Sequence, residues 1–319
     1  MADAFGLAAL LGIGLALYVC VLIVYTARSL THPPRRTYAS AVARNVPGDP
    51  SELDEPLEFE DRRIDLGKNE VRCWMVEGRD PSGPTVILSP GWGDSRVGAL
   101  VRVRAFVPFA SRVAMVDPPG HGDTPGACDL GAMQSTLLLK SSEALAGEVP
   151  VVLAGWSLGA GVSIEAAARH DDDPQSVADK RARIVGVIAE APYRLVRTPA
   201  ERVMRARGLP VRFNLGPAFG LIGFSEGVGP RWRDFDRAMW AAKLACPLLV
   251  LHGTDDPVSP IEDGREIASA APEGEIIETA GAGHNDLWTN PDFRERQTEA
   301  IARFFRETIA RAPAPTIPA

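Results

Sequence analysis

The chain has 319 residues, of which 45% are hydrophobic and 24% are charged, a balance typical of a globular protein with a sizeable core. Its formal net charge of −7 and its lack of any basic tract argue against nucleic acid as a partner. The four cysteines show neither paired spacing nor the spacing of metal ligands, so we expect no disulfide framework, no metal and no other cofactor.

The first segment of the chain, residues 4–27, contains no charged residue and is rich in Leu, Val, Ile and Ala. As a helix it would span roughly 36 Å, which is enough to cross a bilayer. Positive charge follows this segment, at Arg28, Arg35, Arg36 and Arg44. The positive-inside rule therefore predicts a single-pass membrane anchor with the main domain in the cytoplasm. The alternative is a cleaved signal peptide and a secreted enzyme, although such a peptide needs a positive start and a shorter apolar core.

The two flanks of the main domain have loop-like compositions. Residues 28–56 carry five prolines among mixed charges and show neither a helical nor a strand period. We interpret them as a linker between the membrane anchor and the domain. Residues 312–319 are rich in Pro and Ala and are expected to form a flexible tail.

Residues 57–311 alternate apolar runs of strand length with helical patterns. The predicted strands are 57–66, 71–76, 85–88, 112–116, 149–154, 184–189, 247–251 and 275–278. Further helical patterns cover 97–109, 130–146 and 293–310. This alternation predicts an α/β fold whose mostly parallel sheet is covered by helices on both faces. An insert at about 192–234 is expected to form a short lid that shapes a substrate pocket.

A Gly-x-Ser-x-Gly turn follows the fifth predicted strand, at Gly155 to Gly159, and a helical pattern then continues to about Arg169. This strand–turn–helix context is typical of a nucleophile elbow, in which Ser157 occupies a sharp turn with its hydroxyl pointing outward. Side chains at Gly155 and Gly159 would collide with such a turn. We also expect Gly161 to let the helix lie close to the strand.

Two later stretches supply the groups that a serine nucleophile needs. His284 lies in a glycine-rich loop after the last predicted strand, and a neutral imidazole there can take the proton of the hydroxyl. Asp255 and Asp256 follow the seventh predicted strand, where a carboxylate can orient the histidine and stabilise its charged form. Glu190, at the end of the sixth strand, is a third carboxylate near the same edge of the sheet. The order serine, acid, histidine is the one expected of a nucleophile-elbow fold.

The pattern resembles the α/β-hydrolase family over residues 57–311. The specific motifs of this resemblance are 90–93, 117–122, 155–159, 252–256 and 281–284. The resemblance implies an α/β-hydrolase fold in which the acid lies four residues after the histidine of a His-Gly pair. Because that histidine is His252 here, the resemblance selects Asp256 rather than Asp255 or Glu190.

The resemblance also implies an oxyanion hole made by two backbone N–H groups. One belongs to Leu158, which follows the nucleophile, and the other to Trp92, in the loop after the third predicted strand. Pro90 stands in this loop where many members of the family have histidine, and Trp92 is also a candidate wall of the acyl pocket.

These features together predict a serine hydrolase that cleaves a carboxylic ester-type bond through an acyl-enzyme, with Ser157, His284 and Asp256 as its catalytic triad. The anchor favours a small-molecule or lipid-like acyl substrate. Two alternatives stay open: a serine peptidase or amidase of the same fold, and a non-catalytic binding protein of this fold at the membrane. A binding protein would have no need of the serine, acid and histidine together. The oligomeric state stays open.

Overall fold

The computed structural model describes residues 2–172, 183–229, 232 and 235–309, so the expected tail and part of the predicted lid lie outside it. Its strands are β1 (Phe59–Asp65), β2 (Glu70–Glu77), β3 (Thr85–Ser89), β4 (Arg112–Asp117), β5 (Val151–Trp156), β6 (Ile184–Glu190), β7 (Leu248–Gly253) and β8 (Gly274–Thr279). They form one sheet in the order β1-β2-β4-β3-β5-β6-β7-β8. β2 pairs antiparallel with β1 and β4, and every other pair is parallel. The predicted mostly parallel sheet is therefore confirmed.

The observed helices differ from the predicted helical patterns in several places, two of them at 97–109 and 130–146. They are α1 (Ala2–Thr31), α2 (Tyr38–Val42), α3 (Arg96–Ala99), α4 (Gln134–Ala146), α5 (Leu158–Asp172), α6 (Arg197–Ala206), α7 (Leu215–Ser225), α8 (Arg237–Ala241), α9 (Ile261–Ala270) and α10 (Pro291–Glu307). The stretch 97–109, expected as one helix, is α3 followed by two short 3₁₀ turns, the second of which contains Pro108, a residue that has no N–H to donate. α4 begins at Gln134 rather than 130, because Leu130 and Gly131 have φ of +57° and +92°.

Both faces of the sheet are buried, as the alternation along β5 illustrates. Leu153 packs into the core on one face together with Ile164 of α5. Val152 packs into the core on the opposite face together with Ile301 and Phe304 of α10. The sheet therefore carries helices on both sides and directs the carboxyl ends of its parallel strands to one edge, where ligand sites of such sheets form.

α1 is long and apolar enough over Phe5–Thr31 to cross a membrane. It continues beyond the expected end at residue 27, and one face of its last two turns is buried against the domain. Thr26 and Leu30 are only 0% and 2% exposed, and this end of the helix packs on α7. The side-chain amide of Asn214 donates a hydrogen bond to Thr26 Oγ1 over 2.6 Å.

Residues 28–56 follow the candidate membrane span, so we call them the juxtamembrane segment; they contact the domain. The Arg35 guanidinium donates to the carbonyl oxygens of Thr124 and Gly126 at 2.8 and 2.6 Å. The segment also contains α2, which is capped by the side chain of Thr37. The hydrogen bonds of Arg35 join the segment to the loop after β4, a contact between residues distant in sequence.

Candidate active site

The nucleophile elbow has the strained geometry expected from its sequence. Ser157 follows β5 with φ +54°, a left-handed conformation that is costly for a residue with a side chain. A Cβ on Gly155 would lie 2.4 Å from the carbonyl of Gly159, and a Cβ on Gly159 would lie 2.2 Å from the carbonyl oxygen of Ser89. The expectation for Gly161 is wrong, because a Cβ there would meet the buried side chain of Arg237, at 2.6 Å from its Nε, and not the strand.

Three residues from distant loops meet at this turn. His284, in the loop after β8, places its Nε2 3.0 Å from Ser157 Oγ and its Nδ1 2.6 Å from Asp256 Oδ2. Since Asp256 can only accept at Nδ1, that nitrogen carries the hydrogen and Nε2 presents a lone pair to the hydroxyl. The arrangement can therefore move a proton from Ser157 to His284 while Asp256 balances the charge.

Asp256 is fixed from both sides. Its Oδ1 accepts hydrogen bonds from the backbone N–H groups of Val258 and Ser259 at 2.7 and 2.8 Å. His252 Nε2 lies 3.6 Å from Asp256 Oδ2 and 3.2 Å from the Ser259 carbonyl. Burial alone would raise the pKa of the Asp256 carboxyl, but its interactions with His252 and His284 outweigh burial and hold that pKa below its usual range. Asp256 is therefore an ionised carboxylate across the working pH range.

The two competing carboxylates have other partners. Asp255 is exposed and accepts a hydrogen bond from the hydroxyl of Thr254. Glu190 is buried in a bidentate ion pair with Arg102, at 2.7 and 2.6 Å, and also accepts a hydrogen bond from Trp288 Nε1. Within the described residues, neither carboxylate is hydrogen-bonded to the imidazole near Ser157.

The other histidines of the domain have structural surroundings. His121 is fully buried in the loop after β4, with Nδ1 3.2 Å from the Pro119 carbonyl oxygen. Burial lowers the pKa of His121 to about 4, so this imidazole stays neutral. His252 is likewise fully buried, as expected for a packing residue.

The two candidate oxyanion donors flank the nucleophile. Leu158 is the first residue of α5, so its N–H has no acceptor within the helix. The backbone N–H of Trp92 also lacks an acceptor among the residues that the structure describes. Both residues line the same cavity as Ser157. The indole of Trp92 donates to the carbonyl oxygen of Leu30 over 2.7 Å, so the end of α1 holds this side chain in place.

A cavity of about 420 Å³ opens over Ser157 and His284. One part of its wall is apolar and comes mainly from the lid: Tyr193, Val196, Pro199, Ala200 and Val203. Another part comes from the end of α1 and the juxtamembrane segment: Leu30, Pro34, Arg35, Arg36 and Arg44. Sequence analysis missed this second wall. The cluster of arginines directly after an apolar helix was the available signal, but we interpreted it only as a determinant of membrane topology.

Several known proteins resemble this chain in sequence. A model of the alpha/beta hydrolase family matches residues 86–297. The pimeloyl-[acyl-carrier protein] methyl ester esterase of Chromobacterium violaceum is 28% identical over 228 residues, which cover 63% of this chain and 87% of that protein. The lysophosphatidylserine lipase ABHD12 of Xenopus tropicalis is 25% identical over 244 residues, covering 70% of this chain but only 58% of that relative.

The fold itself is matched by solved structures. The Pyrococcus furiosus esterase Pf2001 superposes with a TM-score of 0.63 at 19% sequence identity, covering 88% of this chain and 98% of that one. At this identity the likeness concerns the fold alone. The family model, by contrast, covers most of the domain and includes the nucleophile elbow and the loops that carry Asp256 and His284. The chain therefore belongs to the alpha/beta hydrolase family.

Proposed function

We propose that this protein is a membrane-anchored serine esterase that hydrolyses carboxylic esters with an apolar acyl chain. The observation that carries the proposal is the hydrogen-bonded series Ser157–His284–Asp256, which opens into a cavity with an apolar wall. The C. violaceum relative is named as a methyl ester esterase and the X. tropicalis relative as a lipase, so ester cleavage is the chemistry that the relatives share.

The reaction follows from the placement of these groups. Ser157 Oγ attacks the ester carbonyl while His284 Nε2 takes its proton, and Asp256 stabilises the resulting imidazolium. The backbone N–H groups of Leu158 and Trp92 donate to the oxyanion of the tetrahedral intermediate. His284 then protonates the leaving alcohol, which leaves an acyl group on Ser157. A water molecule, deprotonated by His284, attacks this acyl-enzyme and releases the carboxylic acid.

The anchor is α1, whose side chains before its last two turns are largely exposed to the surroundings of the domain; Phe5, Leu11 and Tyr18 are 77%, 66% and 62% exposed. Such a surface is stable only in an apolar medium or against another protein. We propose that it lies in a bilayer and that the catalytic domain faces the cytoplasm.

The test is hydrolysis of 4-nitrophenyl esters with acyl chains of two to sixteen carbons by the full-length chain in non-ionic detergent. We expect Ser157→Ala to lower kcat by about 10⁴-fold or more, because the hydroxyl is the nucleophile. Covalent labelling by a fluorophosphonate should also disappear in that variant. The full chain is needed because a fragment starting at Ser51 would lack one wall of the cavity.

The same assay separates the alternatives. Faster cleavage of 4-nitroanilides than of the matched 4-nitrophenyl esters would indicate a peptidase or amidase and contradict the proposal. A wild-type protein that neither hydrolyses any ester nor reacts with the fluorophosphonate would indicate a binding protein.

A further inference from the structure

The cavity over Ser157 has a cationic wall although the protein as a whole is acidic. Three arginines line it, Arg35, Arg36 and Arg44, and among the described residues the only carboxylate in its lining is that of Asp94. The formal net charge of the chain is −7. A local excess of positive charge in a cavity of an acidic protein raises the concentration of anionic ligands there.

The first of these arginines is engaged in holding the structure together. Both terminal nitrogens of Arg35 donate to backbone carbonyl oxygens, those of Thr124 and Gly126. These hydrogen bonds join the juxtamembrane segment to the loop after β4. Arg35 therefore has less capacity for a ligand than its two neighbours in the cavity wall.

Arg36 is held in position but incompletely paired. Its backbone N–H donates to the carbonyl oxygen of Gly93 over 3.1 Å, and its Nη1 lies 3.5 Å from Asp94 Oδ1. Asp94 also accepts hydrogen bonds from Trp156 Nε1 and from the N–H of Ser95. The carboxylate of Asp94 therefore interacts with several donors and neutralises the charge of Arg36 only in part. The Nε of Arg36 is buried without an acceptor among the described residues. A buried unpaired donor is costly, and an anion bound beside Arg36 would satisfy this one.

Arg44 follows α2 on the same wall. Its side chain is exposed, and in the part of the chain that the structure describes it forms no ion pair. Arginine is well suited to phosphate and carboxylate because its planar guanidinium can donate two parallel hydrogen bonds. Arg36 and Arg44 together thus provide two donors for an anion in the same cavity as the nucleophile.

We propose that Arg36 and Arg44 form an anion-binding subsite of the active-site cavity, so that the preferred substrate is an ester that carries a phosphate or carboxylate group in addition to an apolar chain. The apolar chain packs against the lid residues and the anion against the juxtamembrane segment. This inference rests on the proposed esterase function. It makes the segment that follows the membrane helix a determinant of substrate specificity.

Two matched substrate pairs test the inference and locate the anion. In the first pair the charge is on the acyl side: 4-nitrophenyl octanoate against the mono-4-nitrophenyl ester of suberic acid, which adds a terminal carboxylate. In the second pair the charge is on the alcohol side: 1-octanoylglycerol against 1-octanoylglycerol 3-phosphate. The full-length chain is assayed in non-ionic detergent, and the readout is the ratio of kcat/KM for the anionic ester to that for the neutral ester.

We expect Arg44→Gln to lower this ratio by about tenfold, mainly through KM, because one charge-assisted hydrogen bond to the substrate is lost. Arg44→Glu should lower it further by repelling the anion. Arg36→Gln should act in the same direction. Arg79→Gln is the matched control, since Arg79 is exposed, forms no ion pair among the described residues and lies outside the cavity lining, so its ratio should equal that of the wild type.

Each outcome has a definite meaning. If the Arg44 variants lower the anionic-to-neutral ratio of kcat/KM only for the glycerol pair, the bound anion is a headgroup. If they lower it only for the octanoate and suberate pair, the bound anion is on the acyl chain. If wild type hydrolyses the neutral esters but the Arg44 variants leave both ratios unchanged, the anion subsite is overturned and the esterase function stands. If wild type hydrolyses no ester and is not labelled by a fluorophosphonate, both proposals are overturned.

Discussion

Asp255 and Asp256 are adjacent in sequence but have opposite surroundings in the structure. Asp255 is exposed beside Thr254, whereas the side chain of Asp256 is fully buried and accepts from His284 and two backbone N–H groups. The resemblance of the His-Gly motif to the family selected Asp256, and the structure brings that residue to the imidazole. Chain order alone left the choice between the two open, because both follow the same strand.

Asp256→Asn should lower kcat for 4-nitrophenyl octanoate by about 10⁴-fold, because an amide at this position favours the wrong tautomer of His284. The matched control is Asp255→Asn, for which we expect a change of no more than about twofold. Steady-state kinetics of the two variants, alongside circular dichroism to confirm that both fold, make the comparison. Equal losses in the two variants, or a larger loss for Asp255→Asn, would contradict the assignment.

Glu190 was a candidate catalytic acid in the sequence analysis, but in the structure its carboxylate is buried in the core. Its bidentate pair with Arg102 and its hydrogen bond from Trp288 join β6 to the packing around it. Glu190→Gln leaves the Arg102 charge buried and unpaired, so the free energy of unfolding should fall by about 3 kcal/mol or more. Chemical denaturation measures this loss.

The same variant should keep kcat within a few-fold of wild type at a temperature where it is folded. The double variant Glu190→Leu/Arg102→Met, which removes both charges, should recover part of the lost stability. A large loss of kcat in the folded Glu190→Gln variant would instead show that Glu190 takes part in catalysis.

At the scale of elements, the sheet was predictable because its signals are local. Most of the eight strands are apolar or alternating runs, and predicted and observed ends differ by at most two residues. The helix boundaries near Leu130 and Pro108 were not predicted correctly, because they depend on local backbone conformation, which the hydrophobic pattern does not specify. The wall formed by α1 and the juxtamembrane segment was not predictable, because it depends on contacts between distant residues such as Thr26 with Asn214 and Leu30 with Trp92.

Because of that wall, removing residues 1–50 should impair the active site and not only release it from the membrane. The deletion removes the acceptor of the Trp92 indole and the cavity-lining residues Leu30, Pro34, Arg35, Arg36 and Arg44. We expect kcat/KM for 4-nitrophenyl octanoate to fall by at least about tenfold relative to the full chain, since Trp92 loses its support and the cavity becomes open to water.

The control for this deletion keeps the last turns of α1, which contact the domain, and changes only the part of the helix that does not contact it. Residues 5–21 are replaced by an unrelated sequence of Leu and Ala in the full-length chain. This variant should retain wild-type activity, because the altered side chains lie outside the cavity. Equal activity of the deleted and full-length proteins would show that the wall contributes nothing to catalysis.

At the scale of the whole molecule, the length of α1 bears on where the active site would lie relative to the proposed membrane. The apolar stretch begins at Phe5, and burial against the domain begins at Thr26. The intervening helix is roughly 32 Å long, which matches the hydrocarbon core of a bilayer. Leu30 contributes to both the docked end of α1 and the cavity wall, so we expect the cavity to lie at the membrane surface. Phe213 and Phe224 of the lid, 70% and 81% exposed, then lie beside a lipid phase rather than facing only water.

The side of the membrane is a separate question that the charge distribution addresses. Four arginines follow the apolar stretch before residue 45, whereas only Asp3 carries a side-chain charge ahead of it. Arg35 and Arg36 are engaged by the folded domain, but the positive-inside rule acts during insertion, before these contacts form. The arginines therefore count in full toward the proposed cytoplasmic orientation of the domain.

Reporter fusions at the carboxyl end of the chain test this orientation in a bacterial host. A green fluorescent protein fusion should fluoresce and an alkaline phosphatase fusion should be inactive, because the former folds in the cytoplasm and the latter needs an oxidising compartment to form its disulfides. Replacing Arg28 and Arg44 by Gln and adding lysines at positions 2 and 3 should shift both readings toward the opposite orientation. An active phosphatase fusion with the unaltered chain would place the domain outside. Amino-terminal sequencing of the mature protein would then distinguish an inverted anchor from a cleaved signal peptide.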